Sequence, residues 1–452
     1  MVRSHVRKSD HAIRYGALFE TAAKSLNGAS ATLLAGVRQE AMDRFLEMGF
    51  PTTRDEDWRY TRLDPIWKTE FEPALAGPSD SISAADVDAS SPFDDSSIQL
   101  VFINGHYAEE LSSADRVRGD LSVCSLAQAD LKDQAHVEPH LNRHVPFKEQ
   151  AFVALNTAFT QDGAFVRIGK ESSHEHPIHL LFLTADVPGK VFSSPRILIV
   201  AETGSRARVV ESYLDFGKDA SLTNVVSEIV VEEGAILDHY KIQRGGTSSI
   251  HLDTMQMVAA SNATFRSTCV TVGGLLTRNN VATVLGGENI DSTLNGLYLV
   301  DGEEHVDNHT LIEHAQPNCG SHEFYKGILS GSATSAFRGR ILVRRPAQKT
   351  DAYQSNQNLL LSEKADVNTR PQLEIYADDV KCSHGATVGQ LDEDAIFYLR
   401  SRGLDRDTAT DVLTRAFAGE VVDRIESAPL RDLVSQLAAD KLEAGRVARS
   451  AP

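Results

Sequence analysis

A mainly β chain is the fold class this sequence predicts, with a parallel β-helix (β-solenoid) core between N-terminal and C-terminal α-helical segments. Three observations lead there. First, a strand-like unit recurs through the middle of the chain. Gly204-Ser-Arg-Ala-Arg-Val-Val-Glu211, Glu233-Gly-Ala-Ile-Leu-Asp-His-Tyr240 and Ser261-Asn-Ala-Thr-Phe-Arg-Ser-Thr268 each run from a polar or glycine turn through a small residue into an alternating strand. The small residues Ala207, Ala235 and Ala263 are spaced 28 and 28, and Gly287-Glu-Asn-Ile290 follows at 27. Ser332-Ala333 and Lys364-Ala365 repeat the pattern at looser spacing. A period of this size marks a solenoid, in which each unit buries its face on the next. Second, no ten-residue helical pattern interrupts these units, so the repeat is built of strands. Third, the apolar spacing changes to the helical period at both ends of the chain.

The N-terminal region is taken as 1–97. Residues 13–48 read as helical, with Leu33, Leu34, Val37, Ala41 and Phe45 on one stripe and Gly49 as the stop. Residues 77–97 are rich in Ser, Asp, Ala and Pro, a composition that buries little and reads as a linker or loop. The solenoid is taken as 98–390. Its short β-branched runs, such as Ile98-Gln-Leu-Val-Phe-Ile103 and Arg196-Ile-Leu-Ile-Val-Ala201, alternate with glycine and aspartate turns. The C-terminal helical domain is taken as 391–452. Asp392 caps a helix carrying Phe397 and Leu399, closed by Gly403, and Asp405 caps one carrying Val412, Leu413 and Phe417. Ser427 and Pro429 open a third, with Leu430, Leu433, Val434, Leu437 and Leu442 on a stripe. This bundle is expected to cover the last coil and to offer a surface to another subunit.

Composition narrows the function. The chain has 452 residues, 41% hydrophobic and 24% charged, as expected for a globular protein with a full core. Its formal charge of −18 argues against a nucleic-acid partner, which selects a basic field. No apolar run approaches the roughly 18 residues of a membrane span. The basic first ten residues lack an apolar stretch behind them, so the expectation is a cytoplasmic protein without a membrane partner. The four cysteines, Cys124, Cys269, Cys319 and Cys382, form no Cys-x-x-Cys pair. A self-contained zinc or ferredoxin-type site is therefore not expected, and the thiols should be reduced.

The densest chemistry lies in Asp378-Asp-Val-Lys-Cys-Ser-His-Gly-Ala-Thr-Val-Gly389. It sets the Cys382 thiol and the His384 imidazole at i and i+2, hence on one face of a strand. Both are metal-competent, but two donors are half of the usual four. A second group, Glu303, Glu304, His305, Asp307, His309, His314, Cys319 and His322, contains no His-Glu-x-x-His. His309 and His314 are an odd number of residues apart and face opposite sides of a strand, so polar ladders explain the group better than catalysis. No Walker sequence is present, so the chain is not expected to hydrolyse ATP itself.

Several long motifs carry a resemblance: Asn156-Thr-Ala-Phe-Thr-Gln-Asp-Gly163, Pro317-Asn-Cys-Gly-Ser-His-Glu-Phe-Tyr-Lys-Gly327, Phe337-Arg-Gly-Arg340 and Ala352-Tyr-Gln-Ser-Asn-Gln-Asn-Leu359. Thr369-Arg-Pro-Gln-Leu-Glu-Ile375, Lys381-Cys-Ser-His-Gly-Ala-Thr387 and Asp392-Glu-Asp-Ala-Ile-Phe-Tyr-Leu-Arg-Ser-Arg-Gly403 add to it, as does Trp58-Arg-Tyr-Thr61. Over about residues 98–425 the chain resembles the SufB/SufD family. Its Cys-Ser-His-Gly form is similar to the SufD branch, since the SufB branch carries His-Glu-Ala where this chain has His384-Gly385-Ala386. The resemblance implies a right-handed parallel β-helix and a non-catalytic scaffold subunit of iron–sulfur cluster assembly. It implies pairing with a SufB-like paralogue, or a homodimer when alone. It further implies docking of a SufC-like ATPase on the C-terminal helices at Phe397, Leu399, Val412, Leu413 and Phe417. Cys382 and His384 match the family positions at the subunit interface, where a transient, shared iron–sulfur cluster would form; flavin binding is left open. Two rival readings are a carbohydrate-active β-helix enzyme, which would favour export, and a SufB-like homodimeric scaffold.

Overall fold

A computed structural model describes residues 10–28, 32–75, 81–94, 96–114, 117, 119–187 and 189–450. The expected solenoid is there, with about eight turns and helices at both ends. Its strands divide between a twelve-stranded and a ten-stranded sheet. From Arg206 to Leu360, successive strands alternate between the sheets and pair in parallel with the strand two places along. Asp366–Thr369 and Gln372–Ile375 then both join the twelve-stranded sheet, and Lys381–Gly389 pairs with Asp351–Leu360. Each coil thus has two long strands, and the sheets face each other across a narrow lumen.

The register corrects the constant period. In the ten-stranded sheet the partners run Arg206, Ile236, Thr264, Asp291, Gly320, Asp351 and Lys381. Ala207 is therefore paired with Leu237, and the residue equivalent to Ala235 and Ala263 is Ser205. The cause is local. The connection between strands Arg206–Asp215 and Ser221–Val231 is two residues longer than that between Ile236–Gly245 and Ser249–Ala259. Ala333 and Ala365 precede strands of the opposite sheet and belong to a different series.

Both faces of the central strands are covered, so they read as near-continuous buried runs. Inward residues such as Val209, Phe265, Leu294 and Phe337 fill the lumen. Outside the twelve-stranded sheet, helices Asp10–Gly28, Thr32–Met48 and Ala151–Phe159 pack Tyr15, Phe45 and Phe152 onto Leu222, Ile250 and Leu252. Thr32–Met48 stops at Gly49, whose φ of +70° suits glycine. The side chain of Leu33 lies outside the described residues.

The stretch 77–97 is more structured than its composition suggests. Residues 77–80 and 95 lie outside the described part, but Ala84–Ser90 is a helix with a capping box between Ser83 and Asp86. Ile82 and Val87 pack against Val101 and Leu181. The serines and aspartates that suggested a linker are in part helix-capping residues.

The C-terminal helices also depart from expectation. Asp392 and Asp405 cap Glu393–Ser401 and Arg406–Val422 as read from the sequence. The bundle does not, however, cover the last coil. Leu430, Val434, Ala438 and Leu442 of helix Ala428–Ser450 lie on the outer face of the ten-stranded sheet, against the cluster of Val270, Leu297 and Phe324. Lys441 reaches Glu304 at 2.7 Å and the buried Lys326 reaches Glu420 at 2.8 Å, fastening the helices to the flank. The apolar stripe finds its counterpart there, and among the described residues no element covers the end of the solenoid.

Candidate functional site at the open end

Strand Lys381–Gly389 closes the ten-stranded sheet. It pairs on one side with Asp351–Leu360, placing Cys382 beside Ala352 and His384 beside Gln354. Among the described residues no strand pairs with its other side. Along its length only Cys382 is half-buried; every other residue is exposed. The Lys381 N–H donates to Thr350 O, which sets the ladder parity: odd-numbered residues bond inward to the neighbouring strand. The N–H and C=O groups of Cys382, His384, Ala386 and Val388 therefore point out from the edge. Their side chains follow the inward column of Ala352, Gln354, Asn356 and Asn358, at the mouth of the lumen.

The structure thus keeps Cys382 and His384 on one face, with Cα atoms roughly 6.5–7 Å apart along the strand. Cys382 packs beside Ile341, Val343 and Ala377. Burial pushes its thiol up, and the Asp351 carboxylate pushes it further. At neutral pH the sulfur is accordingly a thiol, and a cation would be needed to draw off its proton. Asp351→Asn should raise the alkylation rate of Cys382 at neutral pH by about threefold, read by mass spectrometry of the modified peptide. An unchanged rate would remove Asp351 as a cause.

Among the described residues, no three His, Cys, Asp or Glu side chains converge to hold a metal ion. The second acidic and histidine-rich group disperses into structural contacts. His314 points inward to Ser321 Oγ at 2.9 Å, while His309 points outward to Asp307 at 3.1 Å. Burial opposes the charge on Asp307, but the Arg278 guanidinium and His309 hold its carboxyl well below the usual range. The Thr61 hydroxyl also donates to Asp307, and Trp58 stacks on Arg278 at 3.8 Å. The Trp58-Arg-Tyr-Thr61 motif therefore anchors the N-terminal segment to the solenoid. Cys319 occupies the small-residue position equivalent to Ala235, and its thiol donates to Gly287 O at 3.3 Å. A cleft of about 840 Å³ beside this anchor holds Arg278, Arg338 and Arg340, each already paired with a carboxylate.

On the C-terminal helices, Phe397 is 70% exposed and Val412 is exposed, whereas Leu399 and Leu413 are half-buried. Phe417 is partly committed within the chain, lying 4.0 Å from Lys326 Nζ. Sequence reasoning passed over Tyr398, which stands exposed beside Phe397. It also passed over Glu323 and Gln354, buried polar residues that share the His384 column. The alternation of strand Asp351–Leu360 was the available signal.

Comparison with known proteins gives two family matches. The model described as "SUF system FeS cluster assembly, SufBD core domain" matches residues 182–417, and the SufBD protein N-terminal region matches 9–180. The chain is 34% identical over 425 residues to an iron–sulfur cluster assembly SufBD family protein of Synechocystis, covering 91% of this chain and 92% of that protein. It is 32% identical over 410 residues to the iron–sulfur cluster assembly protein SufD of Escherichia coli, covering 90% and 93%. A chloroplastic protein of Arabidopsis thaliana is 28% identical over 429 residues, covering 90% of this chain and 86% of its own length.

Proposed function

This chain belongs to the SufBD family of iron–sulfur cluster assembly proteins, and from that premise we propose that it is a SufD-like scaffold subunit whose open edge strand pairs with a SufB-like paralogue. One observation carries the reading: among the described residues, the strand that presents Cys382 and His384 is also an unpaired sheet edge. Exposed edges are templates for a further strand. Tyr353, Ile375, Tyr376 and Val388 give the last turn an exposed apolar rim suited to burial by another subunit. A partner strand would supply the donors that Cys382 and His384 lack, so the nascent cluster would be held as cargo between two chains. The Cys382 thiol gives up its proton on meeting iron, and His384 offers an imidazole nitrogen. The chain acts in this reading as a scaffold, not a catalyst, and in a reducing compartment such as the cytoplasm.

The same reading gives Phe397, Leu399, Val412, Leu413 and Tyr398 to a SufC-like ATPase, with Phe417 supporting them from beneath. Movement of those helices would reach the solenoid through Lys326–Glu420 and Lys441–Glu304. A homodimer through the same edge is the second reading, since a strand edge can pair with its own copy.

The test is co-expression with SufB-like and SufC-like proteins, followed by anaerobic reconstitution with iron and sulfide. Cys382→Ala and His384→Ala should each lose most of the visible charge-transfer absorption while the complex stays assembled. Full absorption in both variants would assign the donors to the partner alone. Size measurement of the chain alone separates the homodimer.

A further inference from the structure

We propose that Gln354, oriented by Glu323, accepts a hydrogen bond from a ring nitrogen of His384 and so sets the tautomer and direction of that imidazole. The inference rests on the reading of His384 as a cluster donor, and it concerns what holds that donor ready.

Four observations meet at this point. The register stacks Glu323, Gln354 and His384 on successive strands, at the same inward-facing position. Glu323 and Gln354 are each 0% exposed. Gln354 Nε2 donates to Glu323 Oε2 at 2.5 Å, which turns its amide nitrogen toward the Glu323 strand. The planar amide then sends Oε1 the other way, toward the strand of His384, about 4.8 Å off. That Oε1 is buried and has no hydrogen-bond partner among the described residues. A buried, unpaired carbonyl costs about 1–3 kcal/mol, so it favours any donor able to reach it. His384 offers a ring N–H from the next position in the column.

The opposite sheet is shaped for this arrangement. Gly339, within the Phe337-Arg-Gly-Arg340 motif, faces the Gln354 head group. A Cβ at Gly339 would stand 2.2 Å from Gln354 Nε2 and 2.7 Å from its Cδ. Glycine is thus required where the amide sits, which gives that motif a role.

The consequence is chemical. An imidazole that donates one ring N–H to a fixed acceptor presents a lone pair on its other nitrogen, in a fixed direction. Glu323 and Gln354 are positioning residues here, acting through His384.

The experiment is long-range proton–nitrogen NMR of the whole chain, labelled with nitrogen-15 in histidine, at mildly alkaline pH. His384→Ala identifies the His384 signals among the 16 histidines. In wild type, the two His384 ring nitrogens should be further apart in shift than those of exposed His136 and His322. In Gln354→Ala and Glu323→Ala that extra separation should be lost. Glu323→Gln keeps an acceptor for the Gln354 amide and should restore it, which a merely structural role would not predict. Gln354→Met, close in volume, replaces the alanine variant if that one does not fold. A wild-type His384 that already matches His136 and His322, or one unmoved by either alanine variant, overturns the proposal. Reconstitution of His384→Ala tests the donor reading separately: full absorption there defeats the donor role, whatever the tautomer result.

Discussion

Glu228→Ala should lower the stability of the chain by about 5 kcal/mol. Glu228 and Arg196 are both 0% exposed, and Arg196 Nη2 donates to Glu228 Oε2 at 2.8 Å. Taking two charges out of water is costly, and removing one partner leaves the other without compensation. Here the carboxylate does more. The backbone N–H groups of Asn142, Arg143, His144 and Val145 all donate to it, at 2.7, 3.0, 2.9 and 3.2 Å. Alanine would leave a buried guanidinium and those amides without their acceptor, in the segment that leads into helix Ala151–Phe159. Burial opposes the charge on Glu228, yet Arg196 and the amide donors hold its carboxyl below the usual range. The sign follows from that depression. The stabilisation is present above the unfolded-state value and is lost as pH falls through the folded one. Urea unfolding monitored by tryptophan fluorescence, repeated down the acid range, reads both quantities. Trp58 and Trp67 pack against the N-terminal cluster and report on this region. Glu228→Gln keeps the shape but turns amide hydrogens toward donors, so it should recover little. A loss below about 1 kcal/mol in Glu228→Ala would mean that residues 142–145 are fastened by other means.

The solenoid was legible because its signal is local. A glycine or small residue at each turn, followed by period-two alternation, is written into every coil. Helix caps at Asp392 and Asp405 and stops at Gly49 and Gly403 are equally local, as is the odd spacing that sends His309 and His314 to opposite faces. The register was not legible from spacing. Two additional residues between Asp215 and Ser221 shift one coil, and a glance at the alanines mistakes Ala207 for the equivalent of Ala235. The docking side of the C-terminal helices was also hidden. The stripe from Leu430 to Leu442 shows that the helix buries a face but does not say against which surface.

The site divides in the same way. That Cys382 and His384 share a face follows from strand geometry alone. That their strand is an open edge depends on where the C-terminal helices go, which is tertiary information. Gln354, Asn356 and Asn358 look like solvent-facing residues of an amphipathic strand, yet they line the lumen. Their hydrogen bonds make this possible: Asn358 donates to Asn356 Oδ1 at 2.7 Å, and Asn356 donates to Tyr298 OH at 3.2 Å. Such a network depends on residues some 60 positions apart, and hydrophobic patterning assigns them to the wrong side.

Ala386→Pro should weaken association with a SufB-like partner by about a hundredfold, roughly 2.7 kcal/mol, while leaving the chain folded. Parity in the last strand decides the outcome. Lys381 N–H bonds back to Thr350 O, so odd-numbered residues hold the strand to its neighbour and even-numbered ones face outward. Proline at Ala386 removes an outward N–H and sets its ring where a partner strand would lie, and the inner ladder keeps its donors. Edge strands tolerate proline for this reason, and it blocks further pairing. Thr387→Pro is the contrast, because it removes a donor from the inner ladder and should lower thermal stability. Titration of the partner against labelled chain measures the first effect, and thermal melting of each variant alone measures the second. Wild-type affinity in Ala386→Pro, with melting also unchanged, would exclude strand addition at this edge and move the subunit contact to the apolar rim of Tyr353, Ile375 and Tyr376.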